Sequence, residues 1–167
     1  NYFGHGADIL WADEHVLAVD NLSNLQNGSR LPLISSFSCS VGKFDKPEHD
    51  ALSDALVKFP NAGASVAIAS TRLAYATSNE NLAKVFYRRL FETSASRTIG
   101  EAYREAMTEY RDNKQYALLG DPSIRFVNNK RDVFVDVTDS SGNSFDTLKA
   151  LQRIVIKGNV RTSGIID

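Results

Sequence analysis

The 167-residue chain has a single cysteine, almost no net charge and no long apolar run, and each shortage removes a class of function. Cys39 alone cannot form an internal disulfide, so cysteine pairing says nothing about the redox compartment. A lone thiol is either core filler or a nucleophile. Lysine plus arginine number 19 against 20 acidic residues, a formal charge of -1. No Lys/Arg run forms a patch able to track phosphates, which argues against nucleic acid as a partner. No apolar stretch is long enough to span a bilayer, and no charged-then-apolar leader opens the chain. The opening "NYFGHG" reads as a strand end, so the chain is expected to be a piece of a longer protein. Its composition, 43% hydrophobic and 10% aromatic, suffices for one ordinary core and the beginning of a second.

What is present is an alternation of apolar runs and helical periods. "RLPLISSFSC" (residues 30–39) is a β-tending run that stops at the Ser/Cys/Gly cluster "SCSVG", as a buried strand ending in a functional loop would. In "KPEHDALSDALVKF", Ala51, Leu52, Ala55, Leu56 and Phe59 share one helical face, and Pro47 and Glu48 suit a first turn. "NAGASVAIAS" (residues 61–70) repeats the turn-then-strand pattern, with small residues fit for a central parallel strand covered on both faces. "NENLAKVFYRRLF" reads as a helix with Leu82, Val85, Phe86 and Leu90 inward and two arginines outward. Thr98-x-x-Glu101 has the capping-box spacing, and Ile99, Ala102, Tyr103, Ala106, Met107 and Tyr110 follow as an apolar stripe, better explained as core than as a cofactor box.

This alternation predicts an α/β fold, a mostly parallel sheet with helices on its faces, in which ligands bind beyond the carboxyl ends of strands. His5 follows the strand-like "NYF" and Cys39 follows "LPLISSF", so neighbouring strands would bring both to one edge. A thiol in a Ser/Gly-rich strand-end loop, with an imidazole across the crevice, is a candidate nucleophile. Gly4 and Gly6 flank His5 and let the backbone turn and a substrate approach closely.

The pattern changes after "GDPSIRF". From residue 128 on, short Val/Ile/Phe runs alternate with turn residues such as Ser141-Gly142-Asn143, without helical period. This predicts the start of a β-sandwich, Ig-like domain over 128–167, incomplete at two strands and either packed on the first part or completed by further chain.

"NYFGHG", a stretch with Trp11, "SCSVGKFD", "AIASTR" and "GDPSIRF", in that order, resemble the gingipain family, peptidase family C25 of clan CD, over residues 1–127. The resemblance implies the C-terminal part of a caspase-like cysteine peptidase domain. Cys39 would be the nucleophile, His5 the general acid/base, and the backbone N–H groups of Gly6 and Cys39 the oxyanion hole. Arg72 and Tyr75, after the "AIAST" strand, would contact substrate; the alternative for Arg72 is a surface arginine capping a strand end. No cofactor is implied. Within the family, "SCSVGKFD", "ASTRLAYATSN" and "DTLKALQRIVIKGNV" are most similar to the sortases of the type IX secretion system. The substrate would then be a cargo protein with a C-terminal signal domain, cleaved at the outer membrane of a Gram-negative bacterium alongside other components of that system. The acyl group could pass to an amine of anionic lipopolysaccharide. A secreted gingipain-type endopeptidase and a non-catalytic scaffold with an inert Cys39 are the competing readings.

Other constellations carry less. His5, Asp8, Asp13, Glu14 and His15 match no standard zinc spacing, so no metal site is assigned, and the acidic residues beside Trp11 read as a solvated helix start. His49 reads as a surface residue near a helix start, and "GDP" (residues 120–122) as a turn former. Asn21 and Asn27 match glycosylation sequons, too frequent by chance to use.

Overall fold

The computed structural model describes residues 1–91, 97–111, 115–125, 130–144, 147, 149, 151 and 153–163. It falls into two compact units, Asn1–Phe126 and Val127–Asp167.

The first unit is built on two five-residue strands whose side chains alternate between two covered faces. β5 (Leu33–Phe37) and β6 (Val66–Ser70) run parallel, with Leu33 opposite Val66 and Ser36 opposite Ala69. The two-residue β1 (Tyr2–Phe3) adds in parallel to β5, and β7 (Tyr116–Gly120) adds antiparallel to β6. The sheet order is β1-β5-β6-β7, so the sheet is mostly parallel. All five residues of β6 are buried, as a central strand requires. The sequence reading named no strand at Tyr116–Gly120, because five residues of mixed character carry no distinctive period.

Helices cover both faces, and strand alternation decides which residues meet them. α1 (Leu52–Lys58) packs with Leu22, Leu52, Leu56 and Ala64, against which Ile34 lies. α2 (Ala76–Phe91) and α3 (Ile99–Glu109) pack with Phe37, Val66, Ile68, Leu82, Phe86, Leu90, Ile99 and Ala102. The expected inward stripe of α2 is realised: Leu82, Phe86 and Leu90 are buried, with Val85 packed alongside. Arg89 and Arg88 at its end pair with Glu109 of α3. The Thr98 hydroxyl accepts the Glu101 N–H at 3.1 Å while the Glu101 carboxylate accepts the Thr98 N–H at 2.9 Å, closing the expected capping box.

Two local expectations are corrected. α1 starts at Leu52 rather than near Pro47, because its first free N–H groups are taken by loop carbonyls: Leu52 donates to Asp8 at 2.7 Å and Ser53 to Val41 at 3.0 Å. Pro47, Glu48 and His49 therefore lie in the loop before it, His49 Nε2 standing 3.9 Å from an Asp8 carboxylate oxygen. The stretch around Trp11 is no helix start. It is a three-stranded antiparallel sheet of β2 (Gly6–Ala7), β3 (Leu10–Trp11) and β4 (Leu17–Ala18), followed by a 3-10 turn at Val19–Asn24. The φ angles of Ala12 (56°) and His15 (54°) are left-handed, which breaks helical continuation and turns the chain back.

The second unit is an antiparallel pair, β8 (Lys130–Asp139) and β9 (Ile154–Ser163), in register from Lys130 opposite Ser163 to Asp139 opposite Ile154. The Asp139 carboxylate accepts the N–H groups of Ser141 and Asn143, each at 2.8 Å, so the turn residues noted in the sequence do form a turn.

Candidate active site

The β1–β5 register fixes the geometry of the site. Phe3 stands opposite Phe37, and each strand ends there. His5 lies two residues beyond Phe3, and Cys39 two residues beyond Phe37. Parallel pairing therefore delivers both to the same carboxyl edge at the same level, and a Phe3–Phe37 ring stack, 4.8 Å between centroids, locks the pair beneath them.

His5 is exposed, and its backbone is held from two sides. The Tyr2 hydroxyl donates to the His5 carbonyl at 2.7 Å, and the Ala12 N–H donates to the same carbonyl at 3.0 Å. Tyr2 in turn stacks on Trp11 (4.6 Å between centroids, 8° between planes), and the Trp11 indole N–H donates to the Ser36 hydroxyl of β5 at 3.0 Å. Burial of the Tyr2 ring, with the Glu14 charge adding to it, raises its phenol pKa, so it remains a donor through neutral pH. Among the described residues, the imidazole itself makes no hydrogen bond to Cys39 or to any other side chain. Catalytic contacts of this kind commonly tighten only when substrate is bound.

The two glycines beside His5 are explained by close approach. A Cβ on Gly4 would sit 2.6 Å from the Tyr2 hydroxyl that folds back over it. A Cβ on Gly6 would meet Ser38 Oγ at 2.8 Å, Val41 Cγ1 at 2.9 Å and the Cys39 carbonyl at 3.0 Å, so only glycine lets the His5 strand touch the Cys39 turn. The bond from Ala12 N–H to the His5 carbonyl marks that pair as hydrogen-bonded. By the alternation of an antiparallel ladder, the N–H of Gly6, the next residue, faces away from β3.

Cys39 is half-buried, and its thiol lies against the segment after β6. Sγ donates to the Ala74 carbonyl at 3.3 Å and accepts the Ala74 N–H at 3.4 Å. Only the N–H contact survives ionisation as an attraction, since a thiolate has no proton for the carbonyl. The next residue, Ser40, has a left-handed φ of 59°, a conformation an L-residue holds only when its surroundings impose it. Beneath the turn, the Tyr116 hydroxyl donates to the Asn79 side-chain carbonyl at 2.8 Å inside the core. Burial, and secondarily the charge of an ionised Cys39, push the Tyr116 pKa far up.

The remaining candidates reach the same rim. Arg72 is two residues past β6, and its guanidinium grips Asp45 in two bonds (Nη1 to Oδ1 3.1 Å, Nη2 to Oδ2 2.7 Å) while Nη1 also donates to the Thr71 carbonyl. That hydrogen-bonded pairing holds the Asp45 carboxyl below its ordinary pKa. Tyr75 is 76% exposed, with Leu73 (74%) and Phe44 (54%) exposed around the same strand ends. Sequence reasoning missed Asp45, Tyr2, Ser70 and the Ala74 backbone, since no spacing ties them to Cys39.

No group of three or more His, Cys, Asp or Glu among the described residues could hold a metal ion. Asp8 pairs with Lys46 at 2.5 Å. Two shallow depressions among the described residues of the first unit, one around Gly28 and Phe59 and one around Gly100 and Pro122, are not lined by Cys39. Asn27 uses its side chain to bridge the Gly63 N–H and C=O at 3.0 Å each.

Two solved structures share the fold of the first unit: the Arg-specific cysteine proteinase gingipain R, and a complex of the pro- and mature domains of RgpB from Porphyromonas gingivalis. Each superposes with a TM-score of 0.66, at 21% and 22% identity, covering 81% of this chain but only 35% and 36% of theirs. A third, titled only as the structure of a protease, covers 98% of this chain and 53% of its own at a TM-score of 0.64 and 16% identity. The chain thus spans about a third to a half of the solved structures it matches. No curated protein matches it. The model of peptidase family C25 matches residues 1–127, the whole of the α/β unit with its His5 and Cys39 edge, and the chain belongs to that family.

Proposed function

We propose that the first unit carries the reacting groups of a cysteine peptidase, with Cys39 as nucleophile and His5 as general acid/base. One observation carries this reading: the Phe3–Phe37 register ends two parallel strands at one level, with an exposed histidine two residues beyond the first and the chain's only cysteine two residues beyond the second. The Cys39 thiolate attacks the scissile carbonyl. The resulting oxyanion is taken by the N–H groups of Gly6 and Cys39, and His5 protonates the departing amine to leave a thioester on Sγ. Water or an acceptor amine then resolves the thioester. Tyr75 lines the approach of the peptide. Arg72 borders it as well, and a substrate carboxylate must compete with Asp45 to reach its guanidinium. No cofactor takes part in any of these steps.

The finer reading is a PorU-type sortase of the type IX secretion system in the Bacteroidetes. Its substrate would be cargo carrying a C-terminal signal domain, with an amine of anionic lipopolysaccharide as acceptor, other components of the system as partners, and the cell surface as its place of work. Support for it comes from the sequence stretches named above. The likeness to gingipain R keeps a secreted endopeptidase as the second reading.

The test is the rate of Cys39 alkylation by iodoacetamide against pH, for the full chain and for His5→Ala. An unassisted thiol titrates at about pH 8.5, so a working pair keeps reacting well below that and loses at least about tenfold without His5. Equal, slow rates in both proteins would sink the catalytic reading. Mass spectrometry of cleaved cargo with an added primary amine then separates transfer from hydrolysis.

A further inference from the structure

The turn that presents Cys39 is held in an unfavourable backbone conformation at Ser40, and something must over-determine it. Four bonds do so, and all converge on the end of β6. Ser40 N–H donates to the Arg72 carbonyl at 3.0 Å, and Gly42 N–H donates to the Ser70 carbonyl at 2.9 Å. The Ser70 hydroxyl, in a residue with 0% exposure, donates to that same Arg72 carbonyl at 2.7 Å and receives the Arg72 N–H at 3.3 Å. Ser70 therefore closes a hydroxyl-anchored turn over residues 70–72 that aims one carbonyl at the backbone of the nucleophile turn. Two residues further on, the same segment supplies the Ala74 N–H and C=O that bracket Cys39 Sγ.

We infer that Ser70 is a positioning residue for Cys39: its hydroxyl fixes the Arg72 carbonyl that pins Ser40, and through this it sets where the sulfur stands relative to His5. The inference rests on the proposal that Cys39 and His5 act as a pair. The hydroxyl is required for a geometric reason. At 0% exposure no bulk water can replace it, and alanine at this position leaves the Arg72 carbonyl to the Ser40 N–H alone, while Thr71 and the Arg72–Asp45 pair still hold the rest of the segment. A misplacement of the sulfur by a fraction of an ångström or more is costly, because the attack and the proton transfer both depend on alignment.

The test compares the full chain with Ser70→Ala and Ser70→Thr, reading iodoacetamide alkylation of Cys39 at about pH 6.5, below the range in which an isolated thiol reacts. The His5-dependent excess rate is expected to fall about tenfold in Ser70→Ala and to return in Ser70→Thr, which restores the hydroxyl, with both variants melting within a few degrees of the parent. If Ser70→Ala retains the parent's rate, the inference is overturned. Should Ser70→Ala unfold at the assay temperature, the same comparison is made at a lower temperature at which it stays folded, where a parent-like rate equally overturns the inference. Hydrogen exchange at the Ser40 amide tests the clasp separately from the chemistry. Unchanged protection in Ser70→Ala overturns the clasp whatever the thiol does. Lost protection in a protein whose parent shows no His5-dependent alkylation upholds the clasp and sinks the catalytic pairing instead.

Discussion

At the scale of single residues, Gly6 is where the two halves of the site touch. Its missing side chain leaves room for Ser38 Oγ, Val41 Cγ1 and the Cys39 carbonyl, all within 3.0 Å of where a Cβ would stand. Those neighbours are backbone or buried side chains with little space to yield. Gly6→Ala must therefore push the Cys39 turn away from His5 rather than be absorbed by rotation. The expected outcome is loss of His5-dependent alkylation by about two orders of magnitude at a stability cost of only about 1–3 kcal/mol, read by alkylation rate beside a denaturant titration. This residue was legible in the sequence, because a histidine between two glycines at a strand end is an unusual combination with one simple use. Asp45 and Ser70 were not. Asp45 meets Arg72 across the fold, and the local Ser70–Arg72 turn matters only because the Arg72 carbonyl also accepts the distant Ser40 N–H; neither periodicity nor spacing registers a partner brought in by tertiary structure.

At the scale of elements, local chemistry and tertiary packing divide the outcome. α3 announces itself through Thr98 and Glu101, a self-contained cap that needs no help from elsewhere. Thr98→Ala should cost about 1 kcal/mol and lower the melting temperature by a few degrees, with Thr98→Ser retaining most of it, as differential scanning calorimetry would show. α1 lacks any side-chain cap, and its start is set by the carbonyls of Asp8 and Val41, residues distant in sequence, which is why its beginning was read five residues too early. The hairpin sheet around Trp11 was likewise unreadable: strands of two residues carry no period, and the left-handed turns at Ala12 and His15 occur without glycine. The buried strands β5 and β6 were visible as short apolar runs bounded by turn residues, as were the inward faces of α2 and α3.

At the scale of the molecule, the first unit is assembled around a polar contact as much as an apolar one. The Tyr116 phenol is buried against Phe37 and bonded to Asn79, and both burial and the nearby thiolate raise its pKa well above the ordinary value near 10. Tyr103, which donates to the Tyr116 carbonyl at 2.8 Å, is raised by burial as well. Because the folded values lie above the unfolded ones, the stability these phenols contribute is complete below about pH 10 and is lost as pH rises through the folded values. Unfolding by guanidinium followed at pH 9, 10 and 11 should show a falling midpoint, with Tyr116→Phe less stable at neutral pH but flatter in its response to alkali. Parallel strands cannot be joined by a tight turn, so β1 reaches β5 only across an intervening crossover, and that closure is made over two residues and one ring stack. The assembly order follows from that: a nascent or partly folded chain holds its nucleophile and its acid/base group on unconnected segments. On the proposed function, proteolytic competence is therefore withheld until the two strands close, and a partly folded polypeptide carries no working blade.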